Sequence, residues 1–310
     1  MLVGGAKGIG LRAAALNFFC CLMLELFWAL IPMTNLMTLE RRQVHLDIAT
    51  EAASTAGAIL REHFGKLASI EDKRPGDLVT DADKASEAAI LEVLQRHLPD
   101  HAILAEESGR LGNLDSNYCW AIDPLDGTTN YAHQLPIASV SIALLVDDVP
   151  CVGVVYNPFR NELFRAATGL GATRNRQPMS VTTTASLDRS LLVTGFAYDR
   201  RETSDNNYAE FCYLTHLTRG VRRLGSAALD LADVACGRLD GYWERGLSLW
   251  DIAAGVVLVR EAGGCVTAYD GSPVDLASGR LMATNGVLHV ELGNALARAP
   301  QEASRLVYRS

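Results

Sequence analysis

Trp120-Ala121-Ile122-Asp123-Pro124-Leu125-Asp126-Gly127-Thr128-Thr129-Asn130-Tyr131 is the stretch around which the rest of the chain is organised. Its apolar approach reads as a short buried strand. Pro124 has no amide proton to give a sheet ladder and fixes its own φ, so the strand is expected to end there. The chain then turns, and Asp123, Asp126 and the Leu125 carbonyl converge on one point. Gly127 lets the backbone come close to a ligand, and the residues after it can open a helix whose free amides suit a phosphate. Two hard oxygen ligands beside an anion cradle point to divalent-cation phosphate chemistry. The competing reading is an acidic turn that only caps a helix, because Asp-Pro and Asp-Gly are common turn formers.

The chain of 310 residues is long enough for one large or two modest domains with a sizeable core. A hydrophobic content of 49% and a charged content of 21% are those of a globular enzyme rather than a disordered chain. The net charge of −8 argues against a general nucleic-acid binder. An acidic protein handling an anionic substrate needs local cations, and bound metal is the obvious supply. The cysteines (Cys20, Cys21, Cys119, Cys151, Cys212, Cys236, Cys265) are odd in number and scattered, with no Cys-x-x-Cys spacing. They read as reduced, buried thiols in a reducing compartment, so a cytoplasmic location is expected. No His-Glu-x-x-His pair exists, which disfavours zinc.

Residues 1–38 form an apolar extension unlike the rest. Gly4-Gly5-Ala6-Lys7-Gly8-Ile9-Gly10 looks like a dinucleotide-binding turn, but it lacks the preceding strand and the following βαβ unit that such a turn needs. The apolar run 11–33 has three readings: a signal peptide or anchor, a span that would have to tolerate Glu25, or an extension upstream of a natural start at Met37. The last is preferred, because an ordinary amphipathic helix begins there; membrane attachment is expected only if 11–33 is an anchor.

Two amphipathic helices follow, from about Leu39 to Phe64 and from Lys84 to Leu98, joined by a polar loop over 71–83. Thr80, Asp81 and Asp83 crowd the start of the second helix, where helix capping is the simplest role. Ala102-Ile103-Leu104-Ala105 is a short strand delivering Glu106 and Glu107 at its carboxyl end, where open sheets place chemistry. Strands over 138–145, 151–156 and 162–166 have short turns and no intervening helices, which implies antiparallel pairing. The first lobe, 39–185, is therefore two helices on a mostly antiparallel sheet. The second lobe, 186–310, alternates strands and helices and forms another layered α/β unit. Within it, Trp250-Asp251-Ile252-Ala253-Ala254-Gly255 opens a helix with Asp251 at its start and unusually slim first turns, which something can approach closely.

The chain resembles the inositol monophosphatase family of metal-dependent, lithium-sensitive sugar phosphatases, bacterial type. Two signatures carry it without gaps: Trp120 to His133 (WAIDPLDGTTNYAH) and Trp250 to Gly264 (WDIAAGVVLVREAGG). Intermediate matches are Asp77-Leu78-Val79-Thr80, Pro158 to Phe164, Gly225 to Leu231 and Gly241-Tyr242-Trp243-Glu244, so the likeness runs from about Leu39 to Ala297. Ala105, where many members have glycine, and Leu249, where bacterial relatives often have proline, are departures that touch no ligand.

The resemblance implies a layered αβαβα sandwich with a mostly antiparallel first sheet and a smaller mixed second one. It also implies roughly two to three Mg²⁺ ions, as in two-metal sites generally. Glu106, Asp123 and the Leu125 carbonyl match the ligands of a first ion, and Asp123, Asp126 and Asp251 those of a second. Glu106 also lies beside a weaker third site. Thr128 bonded to Asp83 matches the pair that orients and deprotonates the attacking water. The amides of Gly127 and Thr128 match phosphate contacts, and Glu244 and the Ala227 backbone match contacts to substrate hydroxyls. The implied activity is hydrolysis of inositol 1-phosphate or a similar polyol phosphate, by a homodimer. Fructose-1,6-bisphosphatase, 3′-phosphoadenosine 5′-phosphate phosphatase and histidinol-phosphatase share the scaffold and remain alternatives. A catalytically silent binding protein is the remaining reading, although every metal acid is present.

Overall fold

The structure, a computed structural model, describes residues 37–74 and 77–307. The glycine-rich turn at 4–10 and the apolar run 11–33 lie outside the described residues. Helix α1 spans Leu39–His63, and the Thr38 hydroxyl caps it by accepting the Arg41 amide. Strands β1 (Ile70–Arg74) and β2 (Asp77–Thr80) then pair as an antiparallel hairpin where the sequence reads as a loop. Every β1 side chain is exposed, so the strand carries no apolar alternation by which to announce itself. Helix α2 (Asp81–His97) starts before the expected Lys84, because Thr80 and Asp83 form a reciprocal capping box.

The main sheet is built from β3 (Ala102–Ala105), β4 (Gly109–Gly112), β5 (Tyr118–Asp126), β6 (Ser139–Val146), β7 (Val149–Asn157), β8 (Glu162–Ala167), β9 (Gly171–Arg174) and β10 (Gln177–Pro178), with the five-residue helix α3 (Thr128–Ala132) between β5 and β6. Its order is β10-β9-β8-β7-β6-β5-β3-β4, antiparallel throughout except for the β3–β5 pair. The second sheet contains β11 (Leu191–Thr194), β12 (Gly220–Arg222), β13 (Gly241–Glu244), β14 (Cys265–Thr267) and β15 (Leu281–Thr284) in the order β12-β11-β13-β15-β14. It is mixed: β11 runs parallel to β12 and β13, and β15 antiparallel to β13 and β14. Helices α4 (Tyr208–Leu217), α5 (Ala227–Ala235), α6 (Leu249–Glu261) and α7 (His289–Val307) complete the chain.

The period-two alternation of the strands sorts side chains into layers. Trp120 and Ile122 of β5 face α1 and α2, while Ala121 between them faces α5 and α6. On the far side of α5 and α6, Tyr242 and Ala283 of the second sheet close the same cluster, and Trp243 and Met282 turn outward onto α4 and α7. The result is the expected αβαβα sandwich. Helix α6 is the middle layer, so its residues Ile252–Val259 are all buried and its core face is not confined to Ile252, Val256 and Val259. The slimness of its first turns serves packing within the chain. A β-carbon on Gly153 of β7 would lie 2.5 Å from the Ala254 carbonyl oxygen, and one on Gly255 would lie 2.5 Å from the Leu231 side chain.

Three further expectations are corrected. Strand β5 does not stop at Pro124 but runs to Asp126 through a bulge between Asp123 and Asp126, which pair with Ser141 and Ser139. A bulge omits the ladder bond that proline cannot make, so the strand continues, with Asp123 in the regular register and Asp126 shifted out of it. Helix α7 passes through Pro300 instead of stopping near Ala297, with Ala299 and Ala303 buried on either side of the proline. Of the described cysteines, Cys151 and Cys265 are buried as expected, Cys119 and Cys236 are half-buried, and Cys212 is exposed.

Candidate active site

The β5 bulge is the centre of the site. The Asp123 Oδ1 oxygen accepts the Leu125 amide at 2.9 Å, folding the carboxylate back over the bulge, and Ser86 of α2 donates to the Pro124 carbonyl at 2.8 Å. Gly127 then takes φ +95°, and a β-carbon there would lie 2.9 Å from the Ile137 carbonyl oxygen and 3.1 Å from that of Gly225. Glycine is therefore required both by the backbone angle and by the chain's own close approach. Asn130 ties this turn to the second half of the molecule, donating to the Ile137 carbonyl at 2.9 Å and the Leu224 carbonyl at 2.7 Å.

Asp126 takes three hydrogen bonds from the start of α5: the Ser226 hydroxyl at 2.5 Å, the Ala228 amide at 2.8 Å and the Ala227 amide at 3.2 Å. These are orphan donors at a helix start, and a carboxylate satisfies them well. Asp83, fully buried, accepts the Thr80 amide and hydroxyl on one oxygen, and its other oxygen lies 3.2 Å from the Thr128 hydroxyl. The helix-capping role and the contact with Thr128 are therefore both present in one side chain. The Thr128 hydroxyl is also 2.9 Å from the Leu125 carbonyl, so its single proton has two acceptors.

Glu106 follows the end of β3 and is held beside β5 by its amide bond to the Ile122 carbonyl at 3.2 Å. Lys73, from the hairpin, reaches Glu106 at 2.8 Å and Glu107 at 2.5 Å. Asp251 is the third residue of α6 rather than its cap: Ser248 caps the helix, and its amide donates to Asp251 Oδ2 at 2.7 Å. Glu244, at the end of β13, accepts the Tyr242 hydroxyl at 2.8 Å and crowds Gly195, where a β-carbon would lie 2.1 Å from the carboxylate.

Glu106, Asp123, Leu125, Asp126, Gly127, Thr128, Ala227, Glu244 and Asp251 all line one cleft of about 400 Å³, and Asp83 reaches it through Thr128. Its electrostatics are lopsided. Burial, then the charges of Glu106, Asp126 and Asp251, push the Asp123 carboxyl well above the usual carboxylate range, and its carboxyl is within hydrogen-bonding reach of Glu106. Asp251 is pushed up by burial and then by Asp126. Burial raises Asp126 to about 6 against the pull of Ser226 and the two amides, and raises Asp83 and Glu244 to about 7. Among the described residues no three His, Cys, Asp or Glu side chains are already gathered as a metal's ligand set, because each carboxylate is turned to a donor of the chain. The donor chemistry nonetheless fits a hard divalent cation. These are oxygen ligands whose mutual repulsion a cation would relieve, and one Asp251 oxygen takes no hydrogen bond from the described residues.

A model of the inositol monophosphatase family matches residues 41–303. The chain belongs to the inositol monophosphatase family. An inositol-1-monophosphatase of Synechocystis sp. is 68% identical over 260 residues, covering 84% of this chain and 91% of that protein. A Nus factor SuhB of Pasteurella multocida is 46% identical over 240 residues, covering 77% of this chain and 90% of the relative. The solved inositol monophosphatase of Anabaena (Nostoc) sp. superposes with a TM-score of 0.78 at 63% identity, over 84% of this chain and 98% of that one. Members of the family are metal-dependent phosphatases, and this chain is an enzyme of that class.

Three residues of the site escaped sequence reasoning. Ser226 lies inside a quoted motif, and its position before a helix marks it as a cap. Asn130 and Lys73 act across long sequence separations, and nothing local in the sequence signals either. Among the described residues no helix is long and apolar enough to cross a membrane.

Proposed function

We propose that the protein is a Mg²⁺-dependent phosphomonoesterase that hydrolyses inositol 1-phosphate, or a closely related polyol phosphate, in the cytoplasm and as a homodimer. The observation that carries this reading is the meeting, in one cleft, of the acids of the β5 bulge with Glu106, Asp251 and the Thr128–Asp83 pair, beside Glu244 and Ala227. The 68% identical relative named for inositol 1-monophosphate hydrolysis supports the same substrate class.

Glu106, Asp123, Asp126, Asp251 and the Leu125 carbonyl would hold roughly two to three ions, the usual number in such clamps being two. Bound Mg²⁺ supplies charge neutralisation and lowers the pKa of the attacking water. The chain's own residues do the rest. Gly127 and Thr128 seat the phosphate where the backbone is least obstructed. Thr128 Oγ1 orients the attacking water and passes its proton to Asp83 Oδ1, which burial has tuned to about 7 and so can accept a proton near neutral pH. Glu244 and the Ala227 backbone take the hydroxyls of the leaving polyol.

The test is phosphate release from a panel comprising inositol 1-phosphate, fructose 1,6-bisphosphate, 3′-phosphoadenosine 5′-phosphate and histidinol phosphate, with Mg²⁺ and with or without Li⁺. Inositol 1-phosphate is expected to give the highest kcat/KM, and Li⁺ to inhibit. A higher kcat/KM on any of the other three would replace the substrate, and no release from any would overturn the reading.

A further inference from the structure

Asp230 stands one helical turn after Ala227 on α5, and both line the cleft. The residue is 1% exposed, yet among the described residues no donor reaches its Oδ1 oxygen. A buried carboxyl oxygen without a hydrogen bond is costly, and folded proteins retain few of them. The nearby hydroxyls and amides are already committed, and the Arg223 guanidinium, whose charge acts on both Asp230 and Glu244, does not reach Asp230 Oδ1 with a hydrogen bond. The Tyr242 hydroxyl goes to Glu244 Oε2 at 2.8 Å, and the Ser226 hydroxyl and the first amides of α5 go to Asp126. Glu244 is the strongest charged neighbour of Asp230, so two carboxyl groups share one stretch of the cleft wall. Two carboxyls repel a phosphate, which assigns this wall to the other end of the substrate. What they can accept is the proton of a hydroxyl.

We propose that Asp230 is a specificity-determining residue: its Oδ1 accepts a hydrogen bond from a substrate hydroxyl next to the one read by Glu244, so that the cleft selects polyol phosphates bearing two adjacent hydroxyls. This inference rests on the polyol-phosphate reading above. It assigns Asp230 to binding rather than to the reacting phosphate, and it accounts for a buried acid whose Oδ1 has no donor among the described residues.

The experiment compares inositol 1-phosphate with p-nitrophenyl phosphate, which has no hydroxyls to read, using the full chain with Mg²⁺. Asp230→Ala is expected to raise KM for inositol 1-phosphate about five- to tenfold, the cost of one hydrogen bond, with kcat within about twofold. The constants for p-nitrophenyl phosphate stay unchanged, and Asp230→Asn, which keeps an acceptor oxygen, recovers most of the KM. An unchanged KM in Asp230→Ala overturns the proposal. Equal losses on both substrates, or a variant that does not fold, overturn it too, because the carboxyl would then have a catalytic or structural duty. Failure of the polyol reading itself looks different: the unsubstituted enzyme would turn over p-nitrophenyl phosphate but not inositol 1-phosphate, which sinks both.

Discussion

Asp126→Asn separates the role of the β5 bulge in folding from its role in chemistry. The carboxylate accepts three hydrogen bonds from the start of α5, which suggests a purely structural part, but it also sits among other buried acids. Raising its pKa from 3.8 to about 6 corresponds to about 3 kcal/mol of cost in the metal-free ionised state. The sign follows from linkage. The folded pKa lies above the unfolded value, so the contribution favours the fold below pH 3.8 and is lost as pH rises through about 6. Asparagine removes that charge. Its carbonyl can keep the Ala228 amide, and Ser226 can turn its proton to the Ser139 hydroxyl 3.3 Å away. The amide group then faces the Ala227 N–H, a donor against a donor, at a cost of about 1–3 kcal/mol. The two effects nearly offset, so in EDTA at pH 7.5 the variant unfolds within about 2 kcal/mol of the parent. In Mg²⁺ at about a hundred times its Kd the parent gains about 2.7 kcal/mol, and the variant, lacking a ligand, gains less than about 1. Turnover falls by at least about a hundredfold, a barrier increase of about 3 kcal/mol. Urea denaturation with EDTA or Mg²⁺, alongside phosphate release, reads all three. Turnover near the parental rate, or an undiminished stabilisation by Mg²⁺, would refute the ligand assignment.

Other perturbations probe the remaining parts. Thr128→Ala is expected to lower kcat by about 10²–10⁴, the usual worth of a proton-transfer group, while Thr128→Ser, which keeps the hydroxyl, retains most of it; equal losses in steady-state assays would show that the methyl and not the hydroxyl matters. Gly153→Ala would push a methyl against the Ala254 carbonyl and should cost about 1–3 kcal/mol in denaturant unfolding, with an undisturbed midpoint arguing that α6 packs less closely on β7. His289 is buried with its ring between Thr267 at 2.8 Å and Thr284 at 2.9 Å. Thr267 gives its proton to the Ala268 carbonyl at 2.6 Å and so accepts from Nε2, which leaves Nδ1 of the neutral ring to accept from Thr284. Burial lowers its pKa from 6.5 to about 4, so its stability contribution is present above pH 6.5 and is lost as pH falls through about 4. The full loss is about 3 kcal/mol, and His289→Gln should flatten the acid limb of the stability curve between those values; an unaltered limb would assign acid sensitivity elsewhere.

Much of the site was legible because its residues sit in short, dense runs. Asp123-Pro124-Leu125-Asp126-Gly127-Thr128 combines acids, a proline and a glycine within one turn, and each has a distinct physical consequence. Glu106 was visible as an acid at a strand end, and the helices and most strands followed from period. The charged hairpin of β1 and β2 was not legible, since a strand exposed on both faces carries no period-two signal. Pro124 misled because proline at a bulge interrupts the ladder without ending the strand. Asp230 lies within the Gly225 to Leu231 match but is not marked out there, because its defining property, a buried oxygen without a donor among the described residues, exists only in three dimensions.

Taken by itself, the sequence determined the layers, the family and the identity of the acids, because periodicity, turn chemistry and local motifs are encoded within a few residues of one another. Only the tertiary structure decided how those acids are held. Asp126 is clamped by a helix start a hundred residues away, Lys73 crosses to Glu106, and Asp83 both caps α2 and meets Thr128. Charge crowding and burial belong to the meeting of distant segments, so the raised pKa values of Asp123, Asp126 and Asp251 exist only once the chain has folded.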